Sequence, residues 1–443
     1  MGMCVFRAKE VAFASRVGGP GNALGDDGRD SIYSGVRLGI PAPPSAAGES
    51  SIGAMTDSQA QAAQLAAGAV EALPEGRLAE QLAAGRPLRV KLGIDPTAPD
   101  IHLGHVVVLD KLRGFQDAGH TVVLIIGDFT ARVGDPSGRA AERPMLSGEE
   151  IDANAATFQE QAFKVLDPDR TEVRRNREWL DMGADELFRL LRRFTIARLL
   201  EREDFARRME AEKPISALEL LYPVLQGYDS VAVRADVELG GTDQKFNLLF
   251  ARDVQDALGE PAQSILTMPI LPGTDGVRRM SKSLGNYVGI AEPPEEMFGK
   301  LMSIPDDAMG EYSRLLVGAE ELDLEHPAAA KRDLARRLVE RFHGADAAGA
   351  AEQRFDRIHV ERRPPEDMEE IAVSDDGPVH VPALLADHFG FSRSEGRRLI
   401  EQGGVRVGGR VLQAGELDLA ASELDGEIVQ VGKRRFARLR VAR

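Results

Sequence analysis

The feature that most constrains the fold is a pair of short segments with the pattern of buried strands, joined by a segment with helical spacing. The two segments, Leu88 to Ile94 and Thr121 to Ile126, also have the length of strands. Strands joined through a helix lie parallel, and helices cover both faces of a parallel sheet. The sequence therefore predicts an α/β fold with a Rossmann-like parallel sheet, whose ligands bind at the carboxyl ends of the strands.

The length and composition of the chain limit what else it contains. At 443 residues it exceeds one ordinary hydrophobic core and predicts more than one domain. Its one cysteine, Cys4, excludes an intramolecular disulfide framework and favours a cytoplasmic location. No apolar run approaches the roughly 20 residues that span a bilayer, so we expect no membrane partner.

The charge of the chain is acidic on average and basic at its end. The formal net charge of −16 argues against general coating of nucleic acid, because phosphate binding needs local positive potential. Between 433 and 443 there are basic residues and no acidic one. This basic tail predicts one dedicated polyanion site. Its residues are Lys433, Arg434, Arg435, Arg438, Arg440 and Arg443.

Changes in composition divide the chain into segments. Residues 1–54 have no sustained period of 2 or 3.6, so we expect a disordered extension or a start of translation at Met55. Two elements follow from periodicity: a helix from Leu187 to Phe205 and a strand from Val231 to Leu239. The expected segments are the α/β domain at 55–290 with a helical insertion at about 147–215, a helical domain at 291–360, a polar linker at 361–378 and a small α+β module at 379–443.

A proline-rich turn after the first strand leads into two histidines. His102 and His105 are three residues apart and share one face of the helix that begins there, and Gly104 leaves space for a ligand near the backbone. Helix N-termini carry partial positive charge and bind phosphates. The motif therefore suits a nucleoside triphosphate whose α-phosphorus gains charge during attack.

Two other interpretations of these histidines stay open at this point. Histidines one turn apart also bind zinc, although no cysteine and no convincing third ligand is near them in the sequence. Two hydrogen-bonded structural histidines would show the same spacing. The motif needs a partner elsewhere in the chain to be interpreted.

A cationic loop far downstream is a suitable partner. Residues 276–285 are bracketed by glycines and contain Arg279 and Lys282, which can neutralise a departing pyrophosphate, and Ser283, which adds a hydroxyl donor. Such a loop by itself is more often solvated surface. The usual glycine-rich phosphate loops do not occur in the sequence, so a nucleotide would have to be bound by the histidines and this loop.

Together the two motifs resemble the paired signatures of the class I aminoacyl-tRNA synthetases. The family more often has Ile at position 103 and Lys at position 279, and both changes keep the chemistry. Residues 93–97, 134–138 and 240–244 extend the resemblance, over about residues 60–443, to the bacterial tyrosine-tRNA ligases with a C-terminal S4 RNA-binding domain. The signatures are His102-Leu103-Gly104-His105 and Arg279-Met280-Ser281-Lys282-Ser283.

This resemblance implies a two-step reaction. L-Tyrosine would react with ATP to give tyrosyl-adenylate and pyrophosphate, and the tyrosyl group would then pass to the 3′ end of tRNA(Tyr). Mg²⁺ would accompany ATP, with no tightly bound protein metal, and the enzyme would be a cytoplasmic homodimer. Such chemistry needs positioning and charge stabilisation rather than a protein nucleophile.

A helical face formed by Tyr222, Gln226 and Asp229 bears on the choice of amino acid. These residues fall at i, i+4 and i+7, and a face exposed to water is the other interpretation. The resemblance implies that Tyr222 and Gln226 contact the substrate ammonium and that Asp229 accepts a hydrogen bond from the phenol. A buried acceptor rejects phenylalanine because that substrate leaves it unpaired, and tyrosine-tRNA ligases are the standard example of this rule.

The resemblance also implies roles for residues around this face. Lys91 stands where many relatives have a tyrosine that touches the phenol, and it can donate there, anchor Asp229 or point away. Gln244 would contact the substrate carboxylate or the carbonyl of the adenylate, and Asp243 the ribose hydroxyls. The other implied contacts are Gly93, Asp95, Thr130 and Asp135 for tyrosine, and Gly241, Met280, His102, His105 and Lys282 for ATP.

The terminal module resembles an S4-type RNA-binding domain. A helical pair would present Arg393, Arg397 and Arg398 on one side, followed by small strands with turns at glycines. Together with Lys433, Arg434 and Arg435, these arginines would contact RNA phosphates. The alternative is that they are ordinary solvated surface residues.

Two other functions also stay open. A catalytically idle paralogue that only binds RNA predicts decay of the catalytic signatures, and both signatures are intact here. A tryptophan-specific class I relative would share the fold and the signatures. The face of Tyr222, Gln226 and Asp229 and the terminal module favour tyrosine.

Overall fold

The structure, a computed structural model, describes residues 56–97, 99–135, 147–318, 325–361, 364, 368–375, 377–432 and 435–442. The expectations for residues 1–55 and for Lys433, Arg434 and Arg443 lie outside these ranges. In the described part of the chain, no helix is both long enough and apolar enough to cross a membrane.

A six-stranded sheet forms the centre of the α/β domain. Its strands are β1 (Glu71–Leu73), β2 (Arg89–Ile94), β3 (Thr121–Ile126), β4 (Thr171–Arg175), β5 (Val237–Gly241) and β6 (Ser264–Met268). They lie in the order β1-β6-β5-β2-β3-β4, and all neighbours are parallel except β1 and β6. The expected α/β class is confirmed. Because the chain winds away from β2 in both directions, the ends of β2 and β5 flank the switch point where such sheets bind ligands.

Helices cover both faces of this sheet and close its core. Val106, Leu109 and Leu112 on the crossover helix between β2 and β3 are fully buried, and they belong to one large cluster with Val90 and Val122 of those strands. The helices of the domain are α1 (Asp57–Ala66), α2 (Arg77–Ala83), α3 (Leu103–Asp117), α4 (Thr130–Val133), α5 (Gly148–Ala162), α6 (Arg177–Leu180), α7 (Ala184–Leu191), α8 (Ile196–Leu199), α9 (Glu203–Glu210), α10 (Ala217–Ala232) and α11 (Lys245–Leu258).

The segment expected as a helical insertion also contributes a sheet strand. Strand β4 lies inside 147–215 and pairs in parallel with β3, with Val122 opposite Thr171. It is an edge strand whose charged residues form ion pairs, for example Arg89 with Glu172 at 2.7 Å. An edge strand of this kind lacks the buried alternation that identifies a strand in a sequence, which explains the error.

The expected strand from Val231 to Leu239 was wrong in its first half. Helix α10 continues to Ala232, the chain reverses at Arg234 with φ of 50°, and β5 begins only at Val237. Val233 and Ala235 are buried against Val123 and Ile125 of β3. The alternation of apolar and polar residues at these positions therefore comes from a buried turn, although the same pattern is typical of a strand.

The expected continuous helix from Leu187 to Phe205 is broken into α7, α8 and α9. Thr195 begins a new helix because its side chain accepts a hydrogen bond from the Arg198 backbone N–H at 3.3 Å. A threonine at this position caps a helix N-terminus, so the preceding helix ends before it.

A helical segment follows the sheet domain and shares its core. Met297, Phe298 and Leu338 belong to the same buried cluster as the sheet residues. Arg341 also donates to Asp110 of α3 at 2.9 Å. The helices are α12 (Pro294–Leu301), α13 (Asp306–Leu316), α14 (Pro327–His343) and α15 (Ala345–Phe355), and a π-helical turn covers Asp356–Val360.

The terminal module has a separate hydrophobic core. Its five-stranded sheet has the order β10-β9-β12-β13-β7, and β8 and β11 form a second, two-stranded sheet. The elements are β7 (Glu369–Ser374), β8 (Val379–His380), α16 (Val381–Phe389), α17 (Arg393–Glu401), β9 (Val405–Val407), β10 (Arg410–Val411), β11 (Asp418–Leu419), β12 (Ile428–Val431) and β13 (Arg435–Ala442).

Strand β7 corrects the expected linker at 361–378. It pairs in parallel with β13, and its Ile371 and Val373 are buried in the core of the module. The acidic neighbours of these two residues, Glu369 and Glu370, made the segment look like a solvated hinge. The terminal module therefore begins at Glu369 rather than at 379.

Candidate active site

One cavity collects almost all of the residues expected to bind ATP and tyrosine. Its volume is about 350 Å³, within the range of small-ligand pockets. It opens at the carboxyl ends of β2, β3 and β5. Of the residues expected at these sites, Lys91 is the one that does not line it. The expected residues that line the cavity are Gly93, Asp95, His102, His105, Thr130, Asp135, Tyr222, Gln226, Asp229, Gly241, Asp243, Gln244, Arg279, Met280, Lys282 and Ser283.

The two histidines stack at the N-terminus of α3. Their ring centroids are 3.8 Å apart, and the His102 backbone N–H donates to His105 Nδ1 at 3.2 Å. Burial, followed by the charge of Lys282, lowers the pKa of His105 to about 4. Burial and then His105 and Lys282 lower the pKa of His102 well below its ordinary value. Both imidazoles are therefore neutral at pH 7 and can donate one N–H each without carrying charge.

Gly104 lies where the histidine motif and the cationic loop approach each other closely. A Cβ at this position would lie 3.1 Å from His102 Nδ1 and 3.6 Å from Met280 Cβ. The histidine motif and the cationic loop thus touch each other at this glycine, although they are far apart in the sequence. Met280 is itself nearly buried and packs into the core.

The cationic loop is held by acidic residues of the cavity. Arg279 pairs with Asp243 at 2.9 Å, and Lys282 Nζ lies 3.2 Å from Asp100 Oδ2. Asn286 anchors the loop from behind, because its Oδ1 accepts from the Ser281 backbone N–H at 2.9 Å. Burial, opposed by Asp100, lowers the pKa of Lys282. Asp243, expected to bind ribose, is therefore paired with Arg279 in this structure.

A chain of hydrogen bonds links the polar groups at the end of β2. Thr130 Oγ1 donates to Asp95 Oδ1 at 2.6 Å, and the Tyr222 hydroxyl donates to Asp95 Oδ2 at 2.9 Å. Gln244 Nε2 donates to Asp135 Oδ2 at 2.7 Å. Burial raises the pKa of Asp95 to about 7. A group of partly desolvated carboxylates such as Asp95 and Asp135 favours a cationic ligand group.

Asp229 is a buried acceptor in the cavity wall. It is 3% exposed, and it accepts hydrogen bonds from Trp179 Nε1 at 2.8 Å and from Asn176 Nδ2 at 3.4 Å. Burial raises the pKa of Asp229 to about 7, while the charge of Lys91 and the bond from Trp179 oppose the rise. The carboxylate is thus oriented from two sides.

Asn176 and Trp179 are site residues that the sequence analysis missed. Asn176 follows β4 directly and also donates to Thr130 Oγ1 at 2.9 Å, so it joins two parts of the cavity. Residues after a parallel strand are the ones that reach such a crevice. The signal existed, but it depended on recognising β4.

Lys91 lies beneath the cavity rather than in its wall. It is 0% exposed and pairs with Glu238 at 3.0 Å. The expectation that Lys91 contacts tyrosine is therefore not supported by its position, because its ammonium faces Glu238, Ser230 Oγ and the Gln226 carbonyl. A buried ammonium must use its donors inside the protein, which explains the difference.

The described residues contain no group of three or more His, Cys, Asp or Glu arranged to hold a metal ion.

The arginines expected to bind RNA lie on one helix of the terminal module. Arg393, Arg397 and Arg398 on α17 are exposed. The close packing of α17 on α16 depends on Gly396, where a Cβ would lie 3.2 Å from Pro382 Cα. Arg435 is exposed at the start of β13, and its guanidinium donates to the Phe389 carbonyl at 2.6 Å.

Two family models match the chain. The model described as "tRNA synthetases class I (W and Y)" matches residues 83–360, and the model described as "S4 domain" matches residues 383–417.

Similar proteins and similar structures agree with these matches. The tyrosine-tRNA ligase of Oleidesulfovibrio alaskensis is 50% identical over 388 residues, which are 84% of this chain and 96% of that protein. The tyrosine-tRNA ligase of Geobacter sulfurreducens is 48% identical over 400 residues, which are 86% and 99% of the two chains. The crystal structure of tyrosyl-tRNA synthetase from Aeropyrum pernix has a TM-score of 0.53 at 23% identity and covers 67% of this chain and 100% of that one. This last similarity concerns the fold alone.

Proposed function

The chain belongs to the class I tRNA synthetase family of the tryptophan and tyrosine enzymes, and we propose that it is the member that activates L-tyrosine with ATP and transfers it to tRNA(Tyr). Relatives about 50% identical over 84% of the chain carry the name tyrosine-tRNA ligase. The observation that carries the proposal within the site is the buried carboxylate of Asp229, since a buried acceptor in the cavity wall is what a phenol needs.

In the first step, an oxygen of the tyrosine carboxylate attacks the α-phosphorus of ATP. A bond forms between that oxygen and phosphorus, the bond to the bridging oxygen breaks, and pyrophosphate leaves with the electron pair. Negative charge grows on the phosphate oxygens during this step. The neutral imidazoles of His102 and His105 donate hydrogen bonds to this charge from the N-terminus of α3.

The cationic loop assists departure of the pyrophosphate. Among the residues that the structure describes, the lysine and arginine that line the cavity are Lys282, with its ammonium 3.2 Å from Asp100, and Arg279, paired with Asp243. When ATP binds, the two cations would leave these carboxylates and pair with the phosphates, where they would neutralise the departing pyrophosphate. Mg²⁺ enters with the phosphates of ATP as part of the substrate. Arg279 must also release Asp243 before that carboxylate binds the ribose hydroxyls.

The acidic groups around β2 bind the amino acid. The substrate ammonium lies among Asp95, Tyr222 and Gln226, with Asp135 and Thr130 as further neighbours. Gln244 positions the tyrosine carboxylate near the α-phosphorus. The phenol donates a hydrogen bond to Asp229 in addition to those from Trp179 and Asn176. Phenylalanine lacks this donor and leaves the desolvated carboxylate one hydrogen bond short, at a cost of about 1–3 kcal/mol.

In the second step, the terminal ribose hydroxyl of tRNA attacks the carbonyl of the adenylate and AMP leaves. The terminal module binds the tRNA through Arg393, Arg397 and Arg398, and the basic tail adds further phosphate contacts. By the same family resemblance, we propose that the enzyme is a cytoplasmic homodimer, which light scattering on the purified protein would test.

The experiment that tests this function is amino-acid-dependent exchange of labelled pyrophosphate into ATP, run separately with each of the twenty amino acids. We expect exchange with tyrosine. Exchange with tryptophan and not with tyrosine would assign the chain to the other branch of the family. No exchange with any amino acid, from protein that is folded and binds RNA, would instead support an idle paralogue.

A further inference from the structure

A buried ion pair lies beneath the cavity and has no role in the chemistry described above. Lys91 of β2 and Glu238 of β5 are direct partners across two parallel strands, and their charged atoms are 3.0 Å apart. Their side chains are 0% and 1% exposed. Desolvation of two charges costs several kcal/mol per ion, so such a pair is weak evidence for stability and calls for another explanation.

The ammonium of Lys91 is fully engaged. Besides Glu238, it donates to Ser230 Oγ at 2.6 Å and to the Gln226 carbonyl at 3.1 Å. Three donors are all that a lysine has. Lys91 therefore fixes two positions of α10 from below and has no donor left for a substrate.

The carboxylate of Glu238 fixes the side chains at the same positions. Its Oε1 accepts from Gln226 Nε2 at 3.0 Å, and its Oε2 accepts from Ser230 Oγ at 3.1 Å and from Gln263. An amide that donates to Glu238 keeps its oxygen, the acceptor, for the cavity. An acceptor is what a substrate ammonium requires of Gln226.

Asp229 lies between the two anchored positions. Gln226 and Ser230 are one helical turn apart on α10, and Asp229 belongs to the turn between them. The charge of Lys91 also lowers the pKa of Asp229, against the stronger effect of burial. The ion pair therefore acts on Gln226 and Asp229, two side chains of α10 that are proposed to recognise opposite ends of tyrosine.

We propose that the Lys91–Glu238 pair is a specificity-determining positioning device, which orients the Gln226 amide toward the substrate ammonium and fixes the helical turn that carries Asp229. This inference rests on the proposed tyrosine activation. Neither residue touches the substrate, and neither contacts ATP. The pair should consequently affect recognition of the amino acid and leave recognition of the nucleotide unchanged.

The test uses Lys91→Met, Glu238→Gln and the double variant in the full-length enzyme. Pyrophosphate exchange gives KM for tyrosine and for ATP and the ratio of kcat/KM for tyrosine over phenylalanine. For each variant we expect KM for tyrosine to rise, and that ratio to fall, on the order of tenfold, with KM for ATP changed by less than about twofold. A role in stability alone would not separate the two substrates in this way.

Two further variants make the test specific. Arg89→Met removes an ion pair of β2 away from the cavity, in which the Arg89 guanidinium lies 2.7 Å from the Glu172 carboxylate. This variant should leave the ratio of kcat/KM for tyrosine over phenylalanine unchanged. Glu238→Asp keeps both charges and shortens the side chain by one methylene group. It should therefore raise KM for tyrosine and lower the tyrosine-over-phenylalanine ratio, both by less than Glu238→Gln does.

The outcomes are distinguishable, with thermal unfolding as the check on folding. Lys91→Met leaves Glu238 buried and unpaired, and this variant can fail to fold. In that case the inference is judged from KM for tyrosine and the tyrosine-over-phenylalanine ratio of the double variant and of Glu238→Asp. Folded variants with wild-type KM for tyrosine and a wild-type ratio would overturn the inference. A wild-type enzyme that shows no exchange with tyrosine would refute the proposed function itself, and with it the role of the pair.

Discussion

Asp95 and Asp229 show at the residue scale how burial sets the pH response of the site. Burial raises the pKa of each carboxyl to about 7. A carboxyl with a raised pKa is neutral below that value and charged above it, and only the charged forms bind the ammonium and the phenol in the proposed manner. Recognition of tyrosine is therefore expected to fail on the acid side of neutrality.

The first prediction follows from these two groups. We expect kcat/KM for tyrosine to fall at least about tenfold per unit as the pH drops below 7, because one or both carboxyls become protonated. Pyrophosphate exchange across the neutral range measures this. In Asp229→Asn the steepness of the decline should decrease, since one titrating group is gone. A profile that stays flat from weakly acidic to weakly basic pH would contradict the assignment.

The second prediction concerns Lys282→Ala. The lysine is proposed to stabilise charge on the departing pyrophosphate, so its loss should slow adenylate formation by about 100-fold, comparable to the loss of one preorganised donor. Binding of tyrosine should remain, because Lys282 is proposed to contact the phosphates of ATP and not the amino acid. Rapid-quench measurement of adenylate at saturating ATP, beside equilibrium binding of tyrosine, separates the two effects. An unchanged rate would remove Lys282 from the mechanism.

At the scale of elements, the strand ends of the sheet determine which residues meet in the cavity. The tight turn after β3 is an example, because Gly127 packs directly under the hydrogen bond of Thr130 with Asp95. A Cβ at position 127 would overlap Asp95 Oδ1 and Thr130 Oγ1. The turn therefore admits only glycine while that hydrogen bond is present.

The third prediction is that Gly127→Ala raises KM for tyrosine by about tenfold or more, because it displaces Asp95 and Thr130. KM for ATP should change little. Gly114→Ala on α3 is the matched control, since an added Cβ there meets nothing within 4 Å. Steady-state pyrophosphate exchange gives KM for tyrosine in both variants. Equal values of KM for tyrosine in Gly127→Ala and Gly114→Ala would contradict the described geometry.

Much of the fold was predictable from periodicity, and the errors have a common physical cause. Strand β3 is buried along almost its whole length and therefore appears as an apolar run, and β2 places buried Val90 and Leu92 on either side of Lys91. Strand β4 is a charged edge strand, and β7 begins with two exposed glutamates and buries only Ile371 and Val373. Neither forms such a run, because their stability comes from pairing with strands that are distant in the sequence.

The same cause explains which site residues were predictable. His102, Lys282 and Asp229 stand in local motifs or on one helical face, so the sequence contains their signal. Asn176 lines the cavity, and Trp179 reaches Asp229, only because β4 pairs with β3. The position of Lys91 depended on Glu238, its partner across two strands far apart in the chain, and local patterns do not contain that information.

At the scale of the whole molecule, the residues proposed for activation and those proposed for RNA binding belong to parts of the chain with separate hydrophobic cores. The sheet domain and the helical segment share one hydrophobic core, whereas the terminal module has its own. All residues that line the cavity lie at or before Ser283. The two steps of the reaction should therefore respond differently to loss of the module.

The fourth prediction is that an enzyme ending at Glu361 retains tyrosine-dependent exchange and loses most of its transfer of tyrosine to tRNA. This end point removes β7 together with its partner β13. The comparison variant, ending at 376, keeps β7 without that partner and should aggregate more readily because a strand edge is exposed. Exchange and tRNA charging are measured side by side. Full charging by the shorter enzyme would show that the terminal module is not needed to hold the tRNA.

The most direct measurement of the central claim is identification of the aminoacyl group that the wild-type enzyme attaches to tRNA. The enzyme is given total bacterial tRNA, ATP, Mg²⁺ and all twenty amino acids together, and the aminoacyl-adenosine released by nuclease is identified by mass spectrometry. The account predicts tyrosyl-adenosine, derived from tRNA(Tyr). Tryptophanyl-adenosine, or no aminoacyl-adenosine from an enzyme that binds tRNA, would contradict it.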